Sequence, residues 1–270
     1  MTPTEAVLEL LRSLPADGSL LVVTGAGISV ASGIPTFRGT DPGAIWTRDV
    51  TELGTYRFFE EDPVASWRWY LSRFDTVFGA RPNPAHDAVA ALERWHVGRG
   101  GEFLLVTQNI DVLHEEAGSR AMVKVHGSAD RVRCTRPGCR NASPTGSLPR
   151  ASVDMDRFVA APGPDTLPRC PACGALLRQQ VLWFDETYDS HVDYAFPRAL
   201  AAADACDRLL FVGTSFAVGA TDAFLRCARR ARAWVMSVDP GEHRSPAWVD
   251  RVTAKAEEVL PAACRALGAG

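Results

Sequence analysis

No apolar run in the 270 residues approaches the roughly 18 needed to cross a bilayer, which excludes a chain that spans a membrane by helices. An excess of one charge is also missing, since 29 basic residues face 32 acidic ones for a net charge of −3. That balance gives no general field for holding nucleic acid, so direct nucleic-acid binding is not expected. The local cluster Arg131, Arg133, Arg136 and Arg140 reads as a solvated face. Lysine is scarce, with only Lys124 and Lys255, a compositional bias without functional weight. There is no internal repeat and no basic-then-apolar leader. Residues 4–14 instead set Val7, Leu8, Leu10, Leu11 and Leu14 at helical spacing with Glu5 and Glu9 among them, the pattern of a docking helix in a cytoplasmic protein.

Apolar residues make up 46% of the chain, enough to bury the core of one α/β domain that carries a smaller lobe. Four short apolar runs, 20–24, 103–107, 209–212 and 234–238, read as buried parallel strands. Gly25-Ala26-Gly27, Gln108-Asn109-Ile110-Asp111, Gly213-Thr214-Ser215 and Asp239-Pro240 follow them and gather at the carboxyl edge of the sheet, where open α/β folds bind ligands. Helical patterns at 85–95 and 219–232 supply crossovers, which makes the sheet doubly wound. Residues 39–80, rich in aromatics, and 127–180, with paired cysteines and a Pro/Gly/Ser-rich middle, break the alternation and read as insertions forming the smaller lobe.

The chemistry-bearing residues cluster at those turns. Gly25-Ala26-Gly27-Ile28-Ser29 lets backbone amides approach a phosphate, although a structural turn explains it equally well. An ordinary dehydrogenase is disfavoured, because Val30 stands where the dinucleotide fingerprint has its third glycine and no acid-terminated second strand follows. Phe37 and Arg38 lie in a loop able to close over a ligand. Asn109 and Asp111 suit hydrogen bonding to a carboxamide, with Asp111 alternatively capping the next helix. His126, at a strand end beside Gly127, is placed for proton transfer or is simply structural. Cys134 and Cys139, with four residues between them, and Cys170 and Cys173, with two between them, form a zinc-ribbon pattern that fills a tetrahedral site and so predicts a structural zinc. Cys206, Cys227 and Cys264 sit in Ala-rich helical patterns as plain apolar residues.

Taken in order, the glycine turn with Ser32-Gly33-Ile34-Pro35 and Phe37-Arg38-Gly39, then Thr107-Gln108-Asn109-Ile110-Asp111, His126-Gly127, the two cysteine pairs and Gly213-Thr214-Ser215 closely resemble the sirtuin family. The resemblance runs from about Leu20 to Pro261. It implies a Rossmann-like NAD-binding domain from 1–38, 81–126 and 181–270, with a small lobe from a helical insertion, 39–80, and a zinc-binding module, 127–180. It implies an NAD-dependent deacylase of acyl-lysine proteins, in which the acyl oxygen attacks the nicotinamide ribose and the acyl group ends on ADP-ribose. By similarity, Asn109 and Asp111 hold nicotinamide, Phe37 shields the departing ring and His126 is the base. Gly25, Ala26, Gly27, Ile28, Arg38, Gln108, Ile110, Gly213, Thr214, Ser215, Asp239 and Ala256 line the rest of NAD. Trp183, Phe184, Asp185 and Glu186 meet the substrate.

Two departures stand out. Asp185 replaces the family's usual glycine and is expected to crowd or repel substrate, and Asp239 replaces its usual asparagine without loss of NAD binding. Tyr70 and Arg73, one helical turn apart, match the Tyr-x-x-Arg pattern of sirtuins that resemble the desuccinylase and demalonylase class. A core tyrosine beside a surface arginine is the plainer reading of the same pair. Mono-ADP-ribosyl transfer and a catalytically idle NAD or ADP-ribose sensor are the alternative functions.

Overall fold

A computed structural model describes residues 1–36, 49–216, 219–241 and 245–269. The helix α1 (Pro3–Arg12) starts on a capping box, in which Thr2 accepts from the Glu5 N–H and Glu5 reaches back to the Thr2 N–H. Then come β1 (Ser19–Thr24) and a 3₁₀ turn, Ala26–Ser32. The helices α2 (Asp49–Leu53), α3 (Tyr56–Glu61), α4 (Pro63–Gly79) and α5 (Pro84–Val97) lead into β2 (Glu102–Thr107). After α6 (Leu113–Glu116) follow β3 (Met122–Lys124), β4 (Gly127–Cys134), β5 (Leu148–Pro149), α7 (Asp156–Ala160) and β6 (Leu177–Val181). The chain closes with α8 (Phe196–Ala205), β7 (Arg208–Val212), α9 (Gly219–Ala231), β8 (Trp234–Val238), β9 (Asp250–Val252) and α10 (Ala256–Leu267).

Six strands form one parallel sheet in the order β3-β2-β1-β7-β8-β9. The four apolar runs are its inner strands. The two edge strands have three residues each, too short for a hydrophobic run to announce them. Alternation along β1 sends Leu20 and Val22 into a core with α1, α5 and α10, and Leu21 and Val23 into a second core with α8 and α9. The chain moves outward from β1 through β2 to β3, then returns on the other side with β7, β8 and β9. The crevice where strand order reverses therefore opens between the carboxyl ends of β1 and β7.

The smaller lobe is an antiparallel sheet, β5-β4-β6, packed on α3 and α4. Phe59, Trp67, Tyr70 and Phe74 from the helices share one core with Val132, Phe158, Leu177 and Trp183, and the Trp67 indole N–H donates to the Leu177 carbonyl at 2.9 Å. The aromatic-rich stretch and the cysteine-bearing stretch thus fold against each other, since neither has enough apolar surface to close a core alone.

Candidate active site

The two turns that flank the switch point interlock. The Gly25 N–H donates to the Val212 carbonyl at 3.0 Å and the Gly27 N–H to the Gly213 carbonyl at 2.9 Å. A Cβ on Gly27 would lie 2.7 Å from the Gly213 Cα, and one on Gly213, whose φ is +62°, would lie 2.2 Å from the Ile28 nitrogen. Of the backbone amides in the 25–29 turn, those of Gly25 and Gly27 are engaged by β7 and its turn, which is the structural-turn reading of these two glycines. Gly213→Ala is expected to destabilise the protein by more than the about 1–2 kcal/mol that a left-handed conformation costs an L-residue, because the 26–32 turn must also move. Urea unfolding of the purified variant checks this, and an unshifted midpoint would show that the turn yields freely.

Ser29, fully buried in that turn, is the hub of the polar site. It donates to Asp111 Oδ2 at 3.0 Å and accepts from Asn109 Nδ2 at 3.1 Å. His86 Nδ1 faces the Asn83 N–H, so its proton sits on Nε2, 3.4 Å from the Ser29 hydroxyl. Asn83 caps α5 and also donates to the Ile28 carbonyl at 2.8 Å, which fixes the turn to the helix. The Asn109 amide nitrogen gives its second hydrogen to the Gly25 carbonyl at 3.1 Å, leaving its oxygen for a ligand. Asp111 accepts from the Leu113 N–H at 3.2 Å, so it does cap α6 as well as lining the cavity. Burial pushes the Asp111 carboxyl up from its usual range, against the hydrogen bonds from Leu113 and Ser29 and the nearby Lys124. Two acceptors, Asn109 Oδ1 and the Asp111 carboxylate, thus border a mostly apolar cavity, which is what the two N–H bonds of a primary carboxamide require. By the chemistry of these two acceptors, the carboxamide of nicotinamide fits.

Tyr70 and Arg73 line this same cavity, together with Ile34, Phe74, Ile110, Asn109 and Asp111. Tyr70 is buried between Trp69, Phe74 and Trp183, with its ring stacked 6.2 Å from the Trp183 ring. Arg73 is half-buried, its guanidinium 4.0 Å over the Trp69 ring and donating to the Trp69 carbonyl at 3.0 Å.

His126 follows β3 at the sheet's carboxyl edge. Its Nδ1 lies 2.8 Å from the Gln108 carbonyl and its Nε2 lies 3.1 Å from the Tyr188 hydroxyl. A carbonyl only accepts, so Nδ1 carries the proton and Nε2 holds the lone pair. Burial pushes the ring down to about 4, outweighing the Gln108 bond, and the imidazole is neutral at pH 7. Gly127 beside it has φ +79°, and a Cβ there would strike the Gln180 carbonyl oxygen at 2.1 Å.

The 183–186 segment departs from expectation. Asp185 accepts from the backbone N–H groups of Tyr56 at 2.7 Å and Arg57 at 3.1 Å, so it caps α3 and is not among the residues lining the cavity. The condition for repelling an acidic acyl group, that Asp185 lie near Tyr70 and Arg73, is not met by the residues that line their cavity. Glu186 pairs with Arg178 at 2.6 Å and Arg133 at 2.5 Å and accepts from the Trp183 N–H, a structural ion cluster and not a substrate reader. Trp183 is 2% exposed within the small-lobe core, which leaves Phe184, 52% exposed, as the residue of the four that presents an apolar side chain outward.

Other sequence-based assignments fall into place less directly. The buried Gln108 amide donates to the Thr24 carbonyl at 3.4 Å and to Thr214 Oγ1 at 3.3 Å, and accepts from Thr221, so it ties β1, β7 and α9 together. Ser215 is exposed beside the buried Thr214. Asp239 ends β8 and accepts from the Gly241 N–H at 2.7 Å, and Ala256 is the buried first residue of α10. Phe37 and Arg38 lie outside the described residues. Ser29, His86 and Tyr188 were not among the expected site residues. Ser29 and His86 stand inside or near motifs, whereas nothing in the sequence marks Tyr188.

The cysteines form the one metal-type cluster among the described residues, with their sulfurs all within 4.8 Å of one another. Cys134 and Cys173 sulfurs are 3.5 Å apart and Cys139 and Cys170 sulfurs 3.7 Å, close to the about 3.8 Å edge of a tetrahedron with metal–sulfur bonds near 2.3 Å. The Arg136 N–H points to the Cys134 sulfur and Asn141 Nδ2 to the Cys170 sulfur, stabilising thiolates. The donor set fits structural zinc. Cys206, Cys227 and Cys264 are buried elsewhere, as expected.

With this geometry in hand, the chain can be compared with known proteins. The Sir2 family profile matches residues 25–220. An NAD-dependent protein deacylase 1 of Pseudomonas aeruginosa is 41% identical over 87% of each chain. An NAD-dependent protein deacylase 2 of Pyrobaculum aerophilum is 40% identical over 92% of this chain and 90% of its own. The crystal structure of a Sir2 homologue in complex with NAD superposes with a TM-score of 0.76 at 35% identity, covering 98% of this chain and 93% of that one.

Proposed function

This chain belongs to the Sir2 family and is an NAD-dependent protein deacylase, and from that premise we propose how its own residues divide the work. When bound, NAD supplies a ribose carbon that takes up the acyl group as nicotinamide leaves. Asn109 and Asp111 hold the carboxamide through their two acceptors, with Ser29 fixing both side chains. His126, neutral and with its lone pair on Nε2, takes a proton from a ribose hydroxyl. Gly213, Thr214, Ser215 and Asp239 are the residues assigned to the remainder of the dinucleotide, at the carboxyl ends of β7 and β8. The carrying observation is that Asn109 and Asp111 share their cavity with Ala26 and Ser29 of the turn that follows β1. Mass spectrometry of the products tests the reading. O-acyl-ADP-ribose is expected, and ADP-ribosylated protein or unchanged NAD would refute it.

The acyl group favoured by the cavity ends in a carboxylate. Tyr70 and Arg73 share the lining with Asn109 and Asp111, and a guanidinium that leaves its Trp69 stack gives a carboxylate two hydrogen bonds. Succinyl- or malonyl-lysine proteins are therefore the preferred substrates, with weak deacetylation remaining. In matched peptides Arg73→Met is expected to lower the succinyl-to-acetyl ratio of kcat/KM roughly 10- to 100-fold, the effect of a charge-assisted bond. A native preference for acetyl, or an unchanged ratio, refutes the acidic-acyl assignment alone. The four-thiolate site suits a reducing compartment, which is the support for a cytoplasmic location. No helix of the described residues is long and apolar enough to cross a membrane.

A further inference from the structure

The lone pair of His126 is already taken. Nδ1 is protonated toward the Gln108 carbonyl, so Nε2 can only accept, and the group facing it at 3.1 Å is the Tyr188 hydroxyl, which must donate. Three observations make this a built arrangement. The Tyr188 ring stacks on Phe196 at 4.0 Å and 15°, and Phe196 continues onto Phe224 at 5.7 Å in the core between α8 and α9. On its other side the tyrosine ring lies 5.9 Å from the imidazole at 26°. Thr187 and Ser190 bracket it in a turn, where the Ser190 N–H donates to the Thr187 carbonyl at 3.0 Å and the Thr187 hydroxyl donates to Asp189. That turn is anchored upstream by the Glu186 ion cluster and the Asp185 cap.

We propose that Tyr188 is a positioning residue that caps His126, occupying Nε2 in the ligand-free protein and yielding that place to the substrate hydroxyl. The inference rests on the reading of His126 as the base. The capping bond orients the ring from the side opposite Gln108 and shields the lone pair from water and electrophiles. It also competes with the hydroxyl that must give up its proton, since one lone pair accepts one strong hydrogen bond at a time. The turn at 187–190 lies outside regular secondary structure, so displacing the tyrosine gives up its bond to His126 and its stack on Phe196 but no strand pairing.

The test uses Tyr188→Phe, which removes the hydroxyl and keeps the ring in its stack. Diethyl pyrocarbonate acylates an unprotonated, accessible imidazole nitrogen, and peptide mapping follows His126 separately, with the buried His191 as internal reference. In the ligand-free full chain the His126 labelling rate is expected to rise about 2- to 10-fold in the variant, the range of one net hydrogen bond. The kcat/KM for acyl peptide should rise by up to the same factor. An unchanged labelling rate overturns the proposal, and so does a turnover loss beyond tenfold, which would make the hydroxyl a proton relay. Labelling does not depend on what His126 does in catalysis, so failure of the cap is distinguishable from failure of the base assignment, which His126→Ala tests.

Discussion

Stripping the zinc from the purified protein is expected to unfold the smaller lobe and abolish deacylation together. Cys134 and Cys170 are 3% and 2% exposed and belong to the core that also holds Trp67, Phe158 and Trp183. Without metal, Cys134 and Cys170 are pushed in opposite directions. Burial pushes Cys134 up to about 12, whereas at Cys170 burial is outweighed by hydrogen bonds from Asn141 and from the Ala172 and Cys173 backbone, which bring it down to about 6. Bound zinc holds all four as thiolates and adds its binding free energy to folding, a contribution of about 10–16 kcal/mol in small zinc modules. That exceeds the whole stability of a typical domain, about 5–15 kcal/mol, or nearly so. Cys170→Ser should act like a chelator. Metal analysis should give one zinc per native chain, and the fluorescence of Trp67 and Trp183 should shift red on its removal. A zinc-free protein with native fluorescence and turnover would contradict the assignment.

The second large effect is at His126. His126→Ala is expected to cut deacylation by about 100- to 10,000-fold, the usual contribution of a general base, with NAD affinity and fold largely kept. Near-native turnover in a folded variant would remove the base assignment. The pH dependence follows from the burial of the ring. Its folded value is about 4 and its ordinary value 6.5, so the free enzyme keeps its base unprotonated well below neutrality. The acidic limb of kcat/KM should lie near 4, and a midpoint near 6.5 would show that the ring is solvated in solution. Stability has the same sign. Between 6.5 and about 4 the unfolded chain binds protons that the folded one refuses, at His126 and likewise at His86, which burial also pushes down to about 4. The stabilisation is complete above 6.5 and declines as the pH falls through that window.

The sheet and the cysteine cluster were legible because each rests on a strong local signal. An inner parallel strand is buried on both faces and shows as an unbroken apolar run, while β3 and β9 pair over three residues and leave no such run. Spacing alone identified the four thiolates. Motif glycines were legible as necessary while the choice between their two explanations was not, since a glycine that admits a phosphate and one that admits another backbone look the same in sequence. Gly25, Gly27 and Gly213 admit one another. Asp185 misled in a similar way, because its charge was assigned to the nearest expected ligand, and its partners, the N–H groups of Tyr56 and Arg57, are more than a hundred residues away. Tyr188 carried no signal at all. Its role depends on a turn bringing one hydroxyl to one nitrogen.

The central position of β1 has a consequence during synthesis. On one edge it pairs with β2, Ser19 opposite Glu102, and on the other with β7, Leu20 opposite Arg208. As the chain leaves the ribosome, β1, β2 and β3 can associate early, and the smaller lobe has its core residues from Phe59 to Trp183 before β7 exists. Through that interval β1 keeps one edge of unpaired backbone groups between apolar faces, an invitation to strand-to-strand association with another nascent chain. The bonds from Gly25 to Val212 and from Gly27 to Gly213 need the chain beyond residue 208, so chains truncated before β7 are expected to aggregate more than the full chain, which light scattering of the two checks.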